Sequence, residues 1–147
     1  MRIAIASDHR GFEAKKKLLP VLKRLGHEVI DFGCDSTTPC DYSDVAAPAA
    51  RSVARGENDV AILLEGSGIG MSITANKIHG VRAALIHDTV TARRAREHHH
   101  CNALCIGCEL LSEEQIRSIT EIFLSATFQD GRHAARVAKV MQIEAEG

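Results

Sequence analysis

Seven residues, DVAILLE at positions 59–65, constrain this chain more than any other stretch. Every position between Asp59 and Glu65 is apolar, without the alternation that a strand facing water on one side would show. A continuous run of this length fits a strand covered on both faces, as in the middle of a parallel sheet. The glycine-rich GSGIG follows at once, and a helical segment over about residues 71–77 comes next. Strand, glycine turn and helix in that order are the repeating unit of α/β proteins.

The rest of the chain repeats the unit. Strands are predicted over Arg2–Ser7 and over residues 27–33, 81–87 and 102–107, giving five in all. The first helix is predicted over residues 11–26. There Leu18, Leu19, Leu22 and Leu25 recur at helical spacing and the lysines occupy the other face. Pro20 lies inside it and predicts a kink, because proline has no N–H to give the helix ladder. Residues 34–43 read as a loop and 44–55 as an alanine-rich helix. Thr89–Glu97 reads as another helix. SEEQ at 112–115 is a capping box opening the next, and residues 131–146 form a last amphipathic helix. The 147 residues suit one domain spanning 1–147.

Composition narrows the partners. Aromatics are 3% and tryptophan is absent, so Ala, Val, Ile and Leu must build the core. A net charge of -1 carries no basic surplus for nucleic acid. No run approaches the roughly 18 apolar residues of a membrane span, and the N-terminus lacks a tripartite signal pattern, so a cytoplasmic location is expected. The five cysteines are an odd number and read as reduced thiols.

In a parallel sheet ligands sit beyond the carboxyl ends of the strands, which directs attention to Asp8-His9, Asp31 to Gly33, Glu65 to Ser67, His87-Asp88 and Gly107-Cys108. In EGSGIG the glycines let backbone approach a ligand, and the helix that follows offers unpaired N–H groups to an oxyanion. The same pattern also makes a tight turn. A carboxylate at a buried strand end, Glu65, should be costly unless partnered or used. Asp8 caps a helix or lines a site. Arg132 and Arg136, four apart, clamp a phosphate or form a solvated basic face. REHHHCNALCIGC at 96–108 carries three histidines and three cysteines. A metal site there would need its ligands to converge, whereas side chains on a strand alternate between faces, so no metal is expected.

Taken in order, IASDHRGFEAK, VIDFGCDS, DYSDVA, EGSGIGMSITANKIHGVRAAL, AREHHHCNALCIG and GRHAARV resemble the type B ribose-5-phosphate isomerases, whose family includes the galactose-6-phosphate isomerase subunits. The resemblance implies a Rossmann-like three-layer α/β sandwich with a five-stranded parallel sheet. It implies a homodimer in which the C-terminal helix reaches the partner and helps complete its site, with tetramers open. The implied activity is aldose–ketose isomerisation of ribose 5-phosphate and ribulose 5-phosphate without metal or cofactor. Asp8 and His9 would line the sugar site, Tyr42 would close over it, and Ser67 would handle the sugar oxygens. The N–H groups of Gly66, Ser67, Gly68, Ile69 and Gly70 would hold the enediolate oxygen. His98 would open the ring, with His99 and Asn102 in the same segment. Arg132 and Arg136 would grip the phosphate, helped by His9.

Four departures stand out. Glu65 occupies the place where many members carry a cysteine base, and Met71 the place where others carry a glutamate. This leaves Glu65 as the expected base, or the site without one. His99 replaces an asparagine, Glu109 replaces a phosphate-binding arginine, and Ser43 replaces the proline of DYP. Two rivals therefore accompany the main expectation: an isomerase for a different aldose or sugar phosphate, and a non-catalytic sugar-phosphate-binding subunit.

Overall fold

The computed structural model describes residues 1–147. Five strands, β1 (Arg2–Ser7), β2 (Glu28–Asp31), β3 (Val60–Glu65), β4 (Ala83–Leu85) and β5 (Ala103–Gly107), form one sheet in the order β2-β1-β3-β5-β4. All four pairings are parallel. Six helices follow in chain order: α1 (Phe12–Arg24), α2 (Tyr42–Ala54), α3 (Ile69–Asn76), α4 (Thr89–Glu97), α5 (Glu113–Ser125) and α6 (Arg132–Glu146). None is long and apolar enough to cross a membrane.

The two faces of the sheet are unlike. Ile3, Ile5, Ile62, Leu64, Leu104 and Ile106 point to one face, where they pack on Leu18 and Leu22 of α1 and on Ile116, Ile119 and Phe123 of α5. Ala4, Ala6, Ala61 and Ala103 point to the other, against Ala46, Ala49 and Ala50 of α2 and Met71 and Ala75 of α3. Small side chains on both partners let α2 approach the sheet closely. Each fully buried Leu or Ile on the first face contributes about 1.5–3 kcal/mol. The result is the three-layer sandwich predicted.

Several expected boundaries shift. β2 and β4 are shorter than their apolar runs because each is an edge strand, paired on one side only. The loop expected over 34–43 yields its last two residues to α2, so Tyr42 opens a helix. Helix α1 runs unbroken through Pro20. Leu25, predicted for the apolar stripe, is 50% exposed, whereas Lys15 is 1% exposed. The Lys15 ammonium is satisfied by Asp31 Oδ1 at 2.8 Å and the Cys34 carbonyl at 2.6 Å. It therefore ties α1 to the chain leaving β2. The capping box forms as read: Ser112 Oγ accepts the Gln115 N–H at 3.1 Å and Gln115 Oε1 accepts the Ser112 N–H at 2.8 Å.

Helix α6 stands apart. None of its residues is buried. It lies beside the amino edge of the sheet, held by Glu144, whose two oxygens each accept the Gly80 N–H at 3.0 Å.

Candidate active site

The chain order turns away from itself between β1 and β3, and that switch point opens a crevice at the carboxyl edge. Asp8 and Glu65 flank it, each 5% exposed, and the Asp8 N–H bonds the Leu64 carbonyl at 3.1 Å. Asp8 Oδ1 accepts the N–H groups of Arg10 and Gly11 at 2.9 and 3.0 Å, which fixes the turn into α1. His9 Nδ1 accepts the Cys40 N–H at 3.2 Å, joining this turn to the approach to α2.

Glu65 ends β3 with its side chain folded under the start of α3, where Oε1 accepts the Met71 N–H at 2.8 Å. Burial pushes its carboxyl above the usual carboxylate range. The Met71 amide opposes that shift, the neighbouring Asp8 charge adds to it, and the Gly70 amide opposes it. A carboxyl so placed binds its proton more tightly than a solvated one, which suits a group that must take and return a proton near neutrality.

Between Glu65 and α3 the chain makes the glycine turn. Gly68 has φ +78, a left-handed conformation that side chains strain to adopt. No acceptor in the chain takes the N–H groups of Gly66, Ser67 or Gly68. Ser67 Oγ accepts the Ile69 N–H at 3.2 Å. The ring of Tyr42 lies on Gly70, where an added Cβ would meet three ring carbons at 2.6–2.7 Å. A desolvated carboxyl, three unpaired amides and a phenol thus gather around the glycine turn.

Sequence reading missed a second pair here. Arg10 Nη1 and Glu109 Oε1 meet at 2.6 Å across Gly66. The two residues are 99 apart in the chain, so no local pattern joins them. Arg10 offsets the charge that Glu109 brings to the rim. Cys108 is close by, but burial, then Asp8, Glu109 and Glu65, push its thiol up to about 12, so it stays protonated.

The remaining expected site residues lie at the opposite edge. Helix α4 runs back along the sheet, so His98, its C-cap, sits where β5 begins rather than where it ends. The His98 ring stacks on His133 of α6 at 4.2 Å and 5°, and meets His99 edge-on at 6.3 Å. A cleft of about 640 Å³ between α6 and this edge is lined by these three histidines with Lys77, His79 and Arg136, among others. Burial, then His98, Arg132, Arg136 and His99, hold His133 below the ordinary imidazole value, so it is neutral at pH 7. Arg132 opens α6 one residue earlier. Asn102 is bound to backbone, its Oδ1 accepting the Arg82 N–H at 2.7 Å and its Nδ2 donating to the Gly80 carbonyl at 2.9 Å. The histidine run does not converge: His100 turns away and stacks on Phe128 at 4.3 Å. No group of three or more His, Cys, Asp or Glu side chains is placed to hold a metal ion.

The family pattern described as Ribose/Galactose Isomerase matches residues 3–140. The chain belongs to the ribose/galactose isomerase family. It is 38% identical over 143 residues to ribose-5-phosphate isomerase B of Escherichia coli, covering 97% of this chain and 96% of that protein. The Clostridium thermocellum ribose-5-phosphate isomerase B structure superposes with a TM-score of 0.97 at 41% identity, covering 99% of both chains. The Mycoplasma genitalium enzyme, solved with bound ribulose 5-phosphate, gives a TM-score of 0.95 at 36% identity and covers 99% of this chain and 97% of that one. These likenesses span the carboxyl-edge crevice and the amino-edge cleft together, so both are parts of one isomerase fold.

Proposed function

We propose that this isomerase interconverts ribose 5-phosphate and ribulose 5-phosphate through a cis-enediolate, with Glu65 as the base. The observation that carries the reading is the buried Glu65 carboxyl beside the unpaired amides of Gly66 to Gly68. Glu65 takes the proton from the carbon next to the carbonyl and returns it one carbon away. Its Oε1 is oriented by Met71, leaving Oε2 to carry the proton. The oxygen that gains charge meets the amides of the glycine turn, preorganised for it. Asp8, His9, Ser67 and Tyr42 position the sugar. His98 opens the ring, a proton exchange with the ring oxygen for which an imidazole is suited. His99 lies beside it, and Arg132 and Arg136 hold the phosphate.

Within one chain these groups cannot meet. β5 alone separates the two edges, and its five residues at about 3.3 Å each span roughly 15 Å. A second copy that lays its amino-edge cleft over this carboxyl edge would unite them, and α6, with Ile143 69% exposed, is free to make that contact. The working unit is therefore a homodimer with shared sites, acting in the cytoplasm.

The test is deuterium exchange at the carbon next to the carbonyl, with aldose 5- and 6-phosphates and free aldoses in heavy water. Exchange with ribose 5-phosphate that vanishes in Glu65→Gln supports the reading. Exchange unchanged in that variant removes Glu65 as base. Exchange confined to another sugar reassigns the substrate, and none with any sugar leaves a binding subunit.

A further inference from the structure

Beneath the glycine turn lies an imidazole that the reaction has not used. His87 follows β4, and its Nε2 is buried without a hydrogen-bond partner. It faces Gly107, the last residue of β5. A Cβ added at Gly107 would stand 2.8 Å from His87 Nε2 and 2.5 Å from the Ser67 carbonyl oxygen, with the Ser67 carbonyl carbon at 2.8 Å. The oxygen is nearer than its carbon, so the Ser67 carbonyl is turned toward Gly107. No hydrogen bond reaches that carbonyl. An unpaired buried ring nitrogen and an unpaired carbonyl oxygen thus both lie within 3 Å of the place where a Gly107 side chain would begin.

The consequence follows from peptide geometry. In a trans peptide the C=O and the next N–H point in opposite directions. A Ser67 carbonyl turned toward β5 turns the Gly68 N–H away from β5, where no group of the chain accepts it. Gly68 permits this orientation through its positive φ, but permission is not preference, since glycine adopts either sign of φ readily. An N–H on the Gly107 side of that carbonyl would favour this orientation electrostatically, with no hydrogen bond between the two in this structure.

We propose that His87 is a positioning residue for the oxyanion-binding turn. In its Nε2-protonated form it faces the Ser67 carbonyl, resists a flip of the Ser67–Gly68 peptide, and so keeps the Gly68 N–H aimed at the developing oxygen. It touches neither substrate nor Glu65. Gly107 serves the same arrangement, because any side chain there would separate the two groups. The inference rests on the proposed role of the glycine turn.

Two variants test it. His87→Phe keeps a ring of similar size without a donor, and His87→Gln restores an N–H near the same place. With ribose 5-phosphate, the Phe variant is expected to lose roughly 10–100-fold in kcat, short of the loss from deleting an oxyanion donor outright, with KM nearly unchanged. Affinity for a phosphorylated hydroxamate, a planar mimic of the enediolate, should fall in parallel. The Gln variant should recover most of both losses. A Phe variant with full kcat, or one that Gln fails to rescue, overturns the proposal. The amide resonance of Gly68 in the free protein gives a reading independent of turnover: it should shift in His87→Phe and return in His87→Gln. If the wild-type protein exchanges no sugar proton, the proposed function fails by itself. An unmoved Gly68 resonance would overturn the role of His87 whatever the substrate.

Discussion

The two edges of the sheet solve opposite problems. At the carboxyl edge two carboxyl groups are sunk to 5% exposure, and their partners are backbone amides. At the amino edge imidazoles and cations gather around a helix with no buried residue. Desolvation makes Glu65 a better base but would be costly for a site that must hold a dianion. Exposure leaves Arg132 and Arg136 hydrated until a ligand arrives, at little cost to the fold. One strand keeps the buried Glu65 carboxyl and the exposed Arg132 and Arg136 apart in each chain, and under the proposed function a second copy brings them together.

The sharpest way to break this contrast is Glu65→Gln. The expected result is a loss of roughly 10²–10⁴ in kcat, the usual worth of a general base, with the fold retained. Stability should move the other way. A carboxyl whose folded pKa is raised contributes most below the ordinary glutamate value of 4.5, and that contribution is lost as pH rises through the folded value. At pH 7 the variant should therefore melt no lower than wild type. Any gain should fade on acidification, as seen by calorimetry across pH.

Mixing tests whether the two edges belong to different chains. Glu65→Gln and His98→Ala homodimers should each be nearly inactive. Unfolded and refolded together in equal amounts, they should regain about a quarter of wild-type activity, because half the dimers are mixed and each holds one intact site. No recovery would place the whole site within one chain.

Removing the grip should leave the chemistry. Arg132→Ala with Arg136→Ala is expected to raise KM for a phosphorylated sugar by roughly 10²–10⁴-fold, since two charge-assisted contacts are removed, each worth about 1.5–3 kcal/mol. The change in kcat should be far smaller. A lower pH should also slow the reaction, with the acid limb of kcat/KM above 4.5 because only the ionised Glu65 takes a proton. A limb at or below that value would assign the base elsewhere. The smallest effect is expected from Glu109→Gln. It breaks an ion pair whose side chains are 60% and 51% exposed, so thermal stability should hardly change.

Much of the carboxyl edge was legible in the chain. The run 59–65, the glycines after it and the polar residue pairs at strand ends follow from periodicity and from the rule that ligands meet parallel strands at their carboxyl ends. That rule did not point to His98, which only the resemblance singled out, because the residue ends a helix that returns to the opposite edge. Lys15 was read as solvated because helical periodicity cannot show that Asp31 and the Cys34 carbonyl wait beside it. The Arg10–Glu109 pair and the His87–Gly107–Ser67 arrangement join residues distant in the chain, and no local pattern encodes them.

By itself the sequence determined the fold class, the Glu65 carboxylate at the end of a buried strand and the glycine turn that follows it. Those depend on the order of apolar and polar residues over a few positions, where local sterics and burial dominate. Only the tertiary structure decided which of the candidate groups share a crevice. Strand order and helix direction set those distances, and both arise from packing across the whole sheet. The tertiary structure also decided that the buried Glu65 carboxyl and the Arg132–Arg136 pair lie at opposite edges of the sheet.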